Sequence, residues 1–153
     1  VLVLREVRPT QRSLVFHTDL RSPKCDGLER AGDLTAVFYD PARQRQLRLH
    51  GEARLHRDNR SPERQAWHAL HPRTQATYCG DQPGLPLPKD LIDAGAGAVS
   101  PPDPANLQQG FRNFAVITFQ VTLIRWLQLD RAGNREAWFN YTSGTPDTCW
   151  VVA

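Results

Sequence analysis

The sequence predicts a mainly β protein, an antiparallel barrel of six or seven strands with helices at its sides. Two observations predict it. β-branched and apolar runs recur along the chain with mostly short connections, as expected of strands that pair with their neighbours. No strand–helix–strand rhythm runs through them, which argues against a parallel sheet. At 153 residues the chain is one domain's worth, long enough to bury a real core.

Taken in order, 1–7 (VLVLREV) and Ser13–Thr18 have strand composition and are expected to pair as a hairpin across Arg8-Pro9-Thr10-Gln11. Ser22 to about Arg30 reads as a short helix, closed by Ala31-Gly32. Leu34–Tyr39 (LTAVFY) is a buried strand and Asp40-Pro41-Ala42 a turn. From Gln44 to Leu55 polar and apolar residues alternate, with Gln46, Arg48, His50 and Glu52 against Leu47, Leu49, Ala53 and Leu55. This is a strand with one face wet or lining a site. Asn59 to Glu63 opens a helix running to about Leu70, with Trp67, Leu70 and His71 on one face, and Thr74–Cys79 is a weaker helical candidate. The stretch 83–110, rich in Pro, Gly and Ala, reads as a long surface loop with one helical turn around Asp90–Ala94. Asn113–Thr118 and Val121–Leu129 are strands, Arg135–Tyr141 pairs back across the turn at 130–134, and Thr148–Val152 closes the sheet.

Composition excludes several classes. Apolar and charged fractions are those of a globular protein, and no apolar run approaches the ~20 residues of a membrane-spanning helix. With no methionine anywhere, Val1 is expected to lie inside a longer product whose leading strand or helix is missing. Cys25, Cys79 and Cys149 form no CxxC pair, which argues against a disulfide framework or zinc knuckle and points to a reducing, cytoplasmic setting. The histidines at 50, 56, 68 and 71 lack metal-ligand company, so no metal site is expected. Net charge is only +3, but eight arginines (43, 45, 48, 54, 57, 60, 64 and 73) face three acidic residues between Pro41 and Gln75. That stripe could meet nucleic acid or an anionic small molecule, or be a solvated face; nucleic acid is the least favoured of these. No membrane partner is expected.

The densest chemistry lies at 16–24. Ser22 can cap a helix whose first position suits Pro23, with Lys24 in its first turn. A helix N-terminus carries unpaired N–H groups and partial positive charge and so seats a phosphate. Thr18, Arg21 and Lys24 add donors, although a capped surface helix with solvated cations reads the same way. No GxGxxG, P-loop, HExxH or GxSxG motif accompanies it.

Phe16-His17-Thr18-Asp19-Leu20-Arg21-Ser22-Pro23-Lys24 resembles the F-Y/H-T-N/D-x-x-S-x-K signature of the pyridoxamine 5′-phosphate oxidase-like FMN-binding split barrels. The resemblance continues through Leu34–Tyr39 and through RQLRLHGEARL at Arg45–Leu55, similar to the family's R-Q-V-R-V-x-G-x-A-x-x-L strand. It resumes at Gln82 and from Asn113-Phe114 to Trp126–Leu129, similar to the family's N-F … W/L-x-L hairpin. It implies an FMN-binding split barrel, a homodimer with flavin at the subunit interface, and oxidoreductase chemistry by hydride transfer to or from FMN. By position it implies that Arg5 lies near the flavin ring at a strand end and that His17 and Thr18 touch the ribityl-phosphate. Ser22 and Lys24 would grip the phosphate, and Gln46 would bond the isoalloxazine edge. Gln82 would reach the flavin held mainly by the other subunit, and Trp126 would stand beside the flavin. Cations for phosphate, amides for a polar ring edge and an aromatic for a flat face make chemical sense.

The departures bear on substrate. Pro23 stands where the family has an arginine, leaving Arg21 as the candidate substitute. The oxidases' substrate-phosphate residues are replaced here by Trp67, His71 and a short stretch at Arg73–Gln75. Their R-x-H-x-R run becomes Asn134-Arg135-Glu136-Ala137-Trp138. Oxidation of pyridoxamine phosphate is therefore not expected. The chain looks like a shorter branch of the family acting on an unidentified small molecule, with His71, Arg73 and Arg135 as substrate candidates and no assigned catalytic residue. The alternative is a non-catalytic module of the same fold that holds FMN or haem.

Overall fold

The computed structural model of the chain describes residues 2–57, 61–86, 89–93, 106–143 and 145–153. It runs through β1 (Val3–Arg8), a 3-10 turn (Pro9–Gln11), β2 (Ser13–Asp19), α1 (Lys24–Ala31), β3 (Asp33–Asp40) and β4 (Arg45–His56). Then come α2 (Ser61–His68), α3 (Pro72–Cys79), α4 (Lys89–Asp93), α5 (Leu107–Asn113), β5 (Phe114–Gln128), β6 (Arg135–Asn140) and β7 (Asp147–Val151). The seven strands form one antiparallel sheet in the order β1-β2-β5-β4-β3, with β6 paired to β5 and β7 to β6. Among the described residues, no helix is long and apolar enough to cross a membrane.

Two compact units are built from these elements. The first comprises Val1–Val3, Phe16–Arg30 and Leu55–Ile117. Its core holds Phe16, Leu28, Trp67, Tyr78, Phe114 and Ile117, in which the Trp67 ring meets Tyr78, Phe111 and Phe114 at centroid distances of 5.8, 5.7 and 5.5 Å. Angled ring contacts of this kind add to the stabilisation from buried apolar area. The second comprises Leu4–Val15, Ala31–Arg54 and Thr118–Ala153. Its core holds Leu14, Val15, Leu49, Ala53, Phe119, Val121 and Ala137. Within it β3 pairs with β4 from Asp33↔Glu52 to Asp40↔Arg45. Gly51 has a specific job in that ladder: a Cβ there would fall on the Gln120 carbonyl, so only glycine lets the chain pass that close.

Several local expectations are corrected. The β1–β2 hairpin is as expected, and its connection is a 3-10 turn in which Arg12 takes a left-handed conformation (φ 48°) and its N–H bonds Pro9 O at 3.0 Å. The two strands expected at 113–129 are one, β5, because Ala115, Ile117, Phe119 and Val121 keep a single buried face through the supposed break at 119–120. Helix α2 ends at His68, and His71 instead caps α3, whose Pro72 sits in the first turn. The stretch expected to be loop to residue 110 includes the first half of α5. The helical turn expected near 90–94 is α4, while 87–88 and 94–105 lie outside the described residues.

Candidate functional site

In the first unit the end of β2 turns into α1 over a handful of residues. Ser22 N donates to Asp19 O (3.0 Å) and Cys25 N to Ser22 O (2.9 Å), so the chain enters the helix through one tight turn. The Ser22 hydroxyl, buried, accepts from Lys24 Nζ at 2.7 Å. Cys25 is buried behind the turn with its Sγ donating to Asp19 O (3.3 Å), and that burial pushes its thiol pKa up, away from nucleophile chemistry. A cleft of about 220 Å³ opens here, lined by His17, Thr18, Asp19, Lys24, Thr77, Tyr78 and Pro83 among others. The His17 ring meets Phe114 edge-on at 5.0 Å, which fixes its plane.

The structure thus brings His17, Thr18, Ser22 and Lys24 together. An ammonium, two hydroxyls and the first-turn N–H groups of α1 make a donor set suited to a phosphate monoester. Asp19 lines the same cleft, yet its carboxylate is committed: Arg21 N and Nε donate to Oδ1 (2.8 and 3.0 Å) and Nη2 to Oδ2 (2.7 Å). This pairing raises the already high pKa of Arg21 further, through the Asp19 hydrogen bond first and burial against it second. Arg21 also donates through Nη1 to Gly80 O at 2.9 Å, and Gln82 Nε2 donates to Arg21 O at 3.0 Å. Arg21, expected to replace the missing phosphate arginine, is instead a strap between the β2–α1 turn and the end of α3. Gln82 serves that strap with its amide nitrogen.

The other expected residues fall elsewhere. Arg5 is exposed in the middle of β1 rather than at a strand end. Gln46 on β4 is half-buried, pairs with Tyr39, and its Oε1 accepts from Arg48 Nε at 2.7 Å. Trp126 on β5 lines a cleft of about 470 Å³ in the second unit with Leu47, Trp138, Tyr141, Cys149 and Trp150. Strand register builds it: Trp126, Ala137 and Trp150 stand in one row across β5, β6 and β7, and the two indoles meet edge-to-face at 6.0 Å over the small Ala137. Among the substrate candidates, His71 Nδ1 accepts from Arg73 N (3.2 Å) as the cap of α3, Arg73 is exposed, and Arg135 is exposed at the start of β6.

Sequence reasoning missed Glu136. Its Oε1 accepts from Trp138 Nε1 (2.7 Å) and Arg125 Nε (2.8 Å), and the Arg125 guanidinium lies 4.8 Å from the Trp138 ring centroid. The Trp138 hydrogen bond, with help from Arg125, holds the Glu136 carboxyl below its usual range against the opposing effect of burial. The alternation of β6 would have placed Glu136 and Trp138 on one face, but nothing in the sequence pairs them with Arg125.

The sheet order and the flanking helices define the class of fold: a mainly β, seven-stranded antiparallel split barrel. Residues 2–57 match the family described as pyridoxamine 5′-phosphate oxidase, FMN-binding domain. A pyridoxamine 5′-phosphate oxidase-related, FMN-binding protein from Nostoc punctiforme superposes with a TM-score of 0.77 at 21% identity, covering 99% of this chain and 79% of its own. PhzG from Burkholderia lata, in complex with tetrahydrophenazine-1-carboxylic acid, superposes with a TM-score of 0.72 at 14% identity, covering 99% and 73%. No curated protein matches the chain. The fold is thus shared with these structures along the whole chain, and the family match lies in its first 57 residues.

Proposed function

We propose that this protein is an FMN-binding flavoprotein, an oxidoreductase of a small molecule other than pyridoxamine phosphate. It would work as a cytoplasmic homodimer with flavin at the subunit interface. The observation that carries the reading is the Lys24–Ser22 pair at 2.7 Å, set with Thr18 and His17 at the start of α1. Lys24 would neutralise a phosphate dianion, while the Thr18 and Ser22 hydroxyls would donate to its oxygens. Bound FMN would supply hydride transfer; the chain's own residues bind, orient and set the local charge. In that arrangement Arg5, Gln46, Gln82 and Trp126 serve the ring, with Gln82 reaching the partner's flavin, and Arg73, His71 and Arg135 meet an anionic substrate.

A second reading, a module that holds FMN or haem without turnover, is favoured by the fate of the oxidases' substrate residues. His71 is spent on a helix cap, Asn134 Oδ1 accepts from Asp130 N in a turn, and Glu136 is tied to Arg125. The absorption spectrum of the purified protein and its titration with FMN test the common ground; a colourless protein that binds no added FMN overturns both flavin readings. A screen for bleaching of bound flavin, including polycyclic aromatic acids of the kind bound by the Burkholderia lata relative, then separates enzyme from module.

A further inference from the structure

In the first unit a second cleft, of about 610 Å³, is lined by Arg64, Trp67 and His68 of α2, Gln75 of α3, and Leu107, Gln108, Phe111 and Arg112 of α5. It shares no lining residue with the cleft at Lys24. Helical spacing sets its pattern. Arg64 and His68 are neighbours at i,i+4 on α2, and Gln108 and Arg112 at i,i+4 on α5. Leu107 and Phe111, again at i,i+4, give an apolar strip that joins the edge of the buried Trp67 ring, 5.7 Å from Phe111. Gly110 brings the two sides close: a Cβ there would stand 3.1 Å from Trp67 and 2.5 Å from the Cys79 sulfur.

The charge of this cleft is one-sided. Among the described residues, two guanidiniums and an imidazole line it, and no carboxylate does. Elsewhere in the unit Arg21 is matched by Asp19 and Arg57 by Glu29 at 2.7 Å, whereas among the described residues Arg64 and Arg112 enter no ion pair. Glu63, next to Arg64 in sequence, is buried and faces His56 at 3.9 Å. Like charges gathered around an apolar floor leave a place where an anion would be attracted and an apolar body desolvated together. We propose that this cleft binds a small organic oxyanion, a carboxylate or phosphate monoester on a flat apolar body. Arg64 and Arg112 take the anionic group, and the Phe111–Leu107 strip takes the body. The inference stands without the flavin reading.

The test uses the whole protein and 1-naphthyl phosphate, followed by calorimetry, with neutral 1-naphthol as the comparison. Wild type should bind the phosphate ester and not the naphthol, and the affinity should fall as ionic strength rises. Arg64→Gln and Arg112→Gln should each weaken binding about tenfold, the loss of one charge-assisted contact, while Arg112→Lys retains most of it. Both arginines are exposed, so the variants should keep the wild-type melting temperature. FMN titration serves as the second readout and should be unchanged in all of them. Equal binding of naphthol, or full affinity in the double glutamine variant, overturns the proposal. So does loss of FMN and naphthyl phosphate binding in step, since the two would then share one site.

Discussion

Arg21 grips Asp19 through two parallel hydrogen bonds, Nε to Oδ1 at 3.0 Å and Nη2 to Oδ2 at 2.7 Å. The pair removes a negative charge from the cleft where a phosphate would sit, and it ties the β2–α1 turn to the carbonyl of Gly80. The geometry therefore commits the Arg21 guanidinium to Asp19 and to the end of α3.

Two outcomes should separate that role from direct phosphate binding. Arg21→Gln should cost about 2 kcal/mol of stability, because it leaves the buried Asp19 carboxylate with a weaker, uncharged partner. It should also weaken FMN by bringing Asp19's charge into play. Asp19→Asn added to Arg21→Gln should recover much of that affinity, as read by flavin titration. No recovery would mean that Arg21 itself contacts the phosphate.

Lys24→Ala should weaken FMN by about tenfold to a hundredfold, the usual range for a hydrogen bond to a charged group. The melting temperature should barely move, since Lys24 is only half-buried and its partner Ser22 Oγ can turn to the α1 backbone. Unchanged flavin affinity would remove Lys24 from the site.

What the sequence revealed of this site tracks the distance between partners. His17 to Lys24 lie within one strand end and one helix start, so local capping and spacing rules reach them. The bonds that tie down Arg21 were beyond those rules, because its partners Tyr78, Gly80 and Asp81 lie 57 to 60 residues away. The row Trp126–Ala137–Trp150 depends on two strand registers, which no single stretch of sequence encodes. Helix α5 was hidden by a glycine at its centre, ordinarily a helix weakener, kept here where α5 meets Trp67 and Cys79. The strands themselves were legible from composition: β5 is rich in Val, Ile, Phe and Thr, and β4 alternates polar and apolar residues.

Gly110→Ala tests that last contact. Helix propensity alone would favour alanine, by roughly 1 kcal/mol. The new methyl group would instead lie 2.5 Å from Cys79 Sγ and 3.1 Å from Trp67 Cη2, so overpacking should win and destabilise by about 1–3 kcal/mol. Cys79→Ala introduced alongside it removes the closer clash and should restore part of the loss. Thermal melts of the two variants and the double check this, and a stabilised single variant would show that α5 can move off α3.

Glu136 gives the second unit a defined acid dependence. Its carboxyl is held below the ordinary value of 4.5 by Trp138 Nε1 first and Arg125 second, so the folded state favours the ionised form. The stabilisation is therefore fully present above that ordinary value and is lost as pH falls through the lower folded one. Glu136→Gln leaves Arg125 without its counter-ion and should cost about 1–2 kcal/mol at neutral pH. The gap between the wild-type and variant melting temperatures should then close as the solution is acidified below pH 4.5. Because Trp138 loses a charged acceptor at the same step, its fluorescence should shift over that window in wild type and not in the variant. A gap that stays constant with pH would mean that Glu136 is held by packing rather than by its charge.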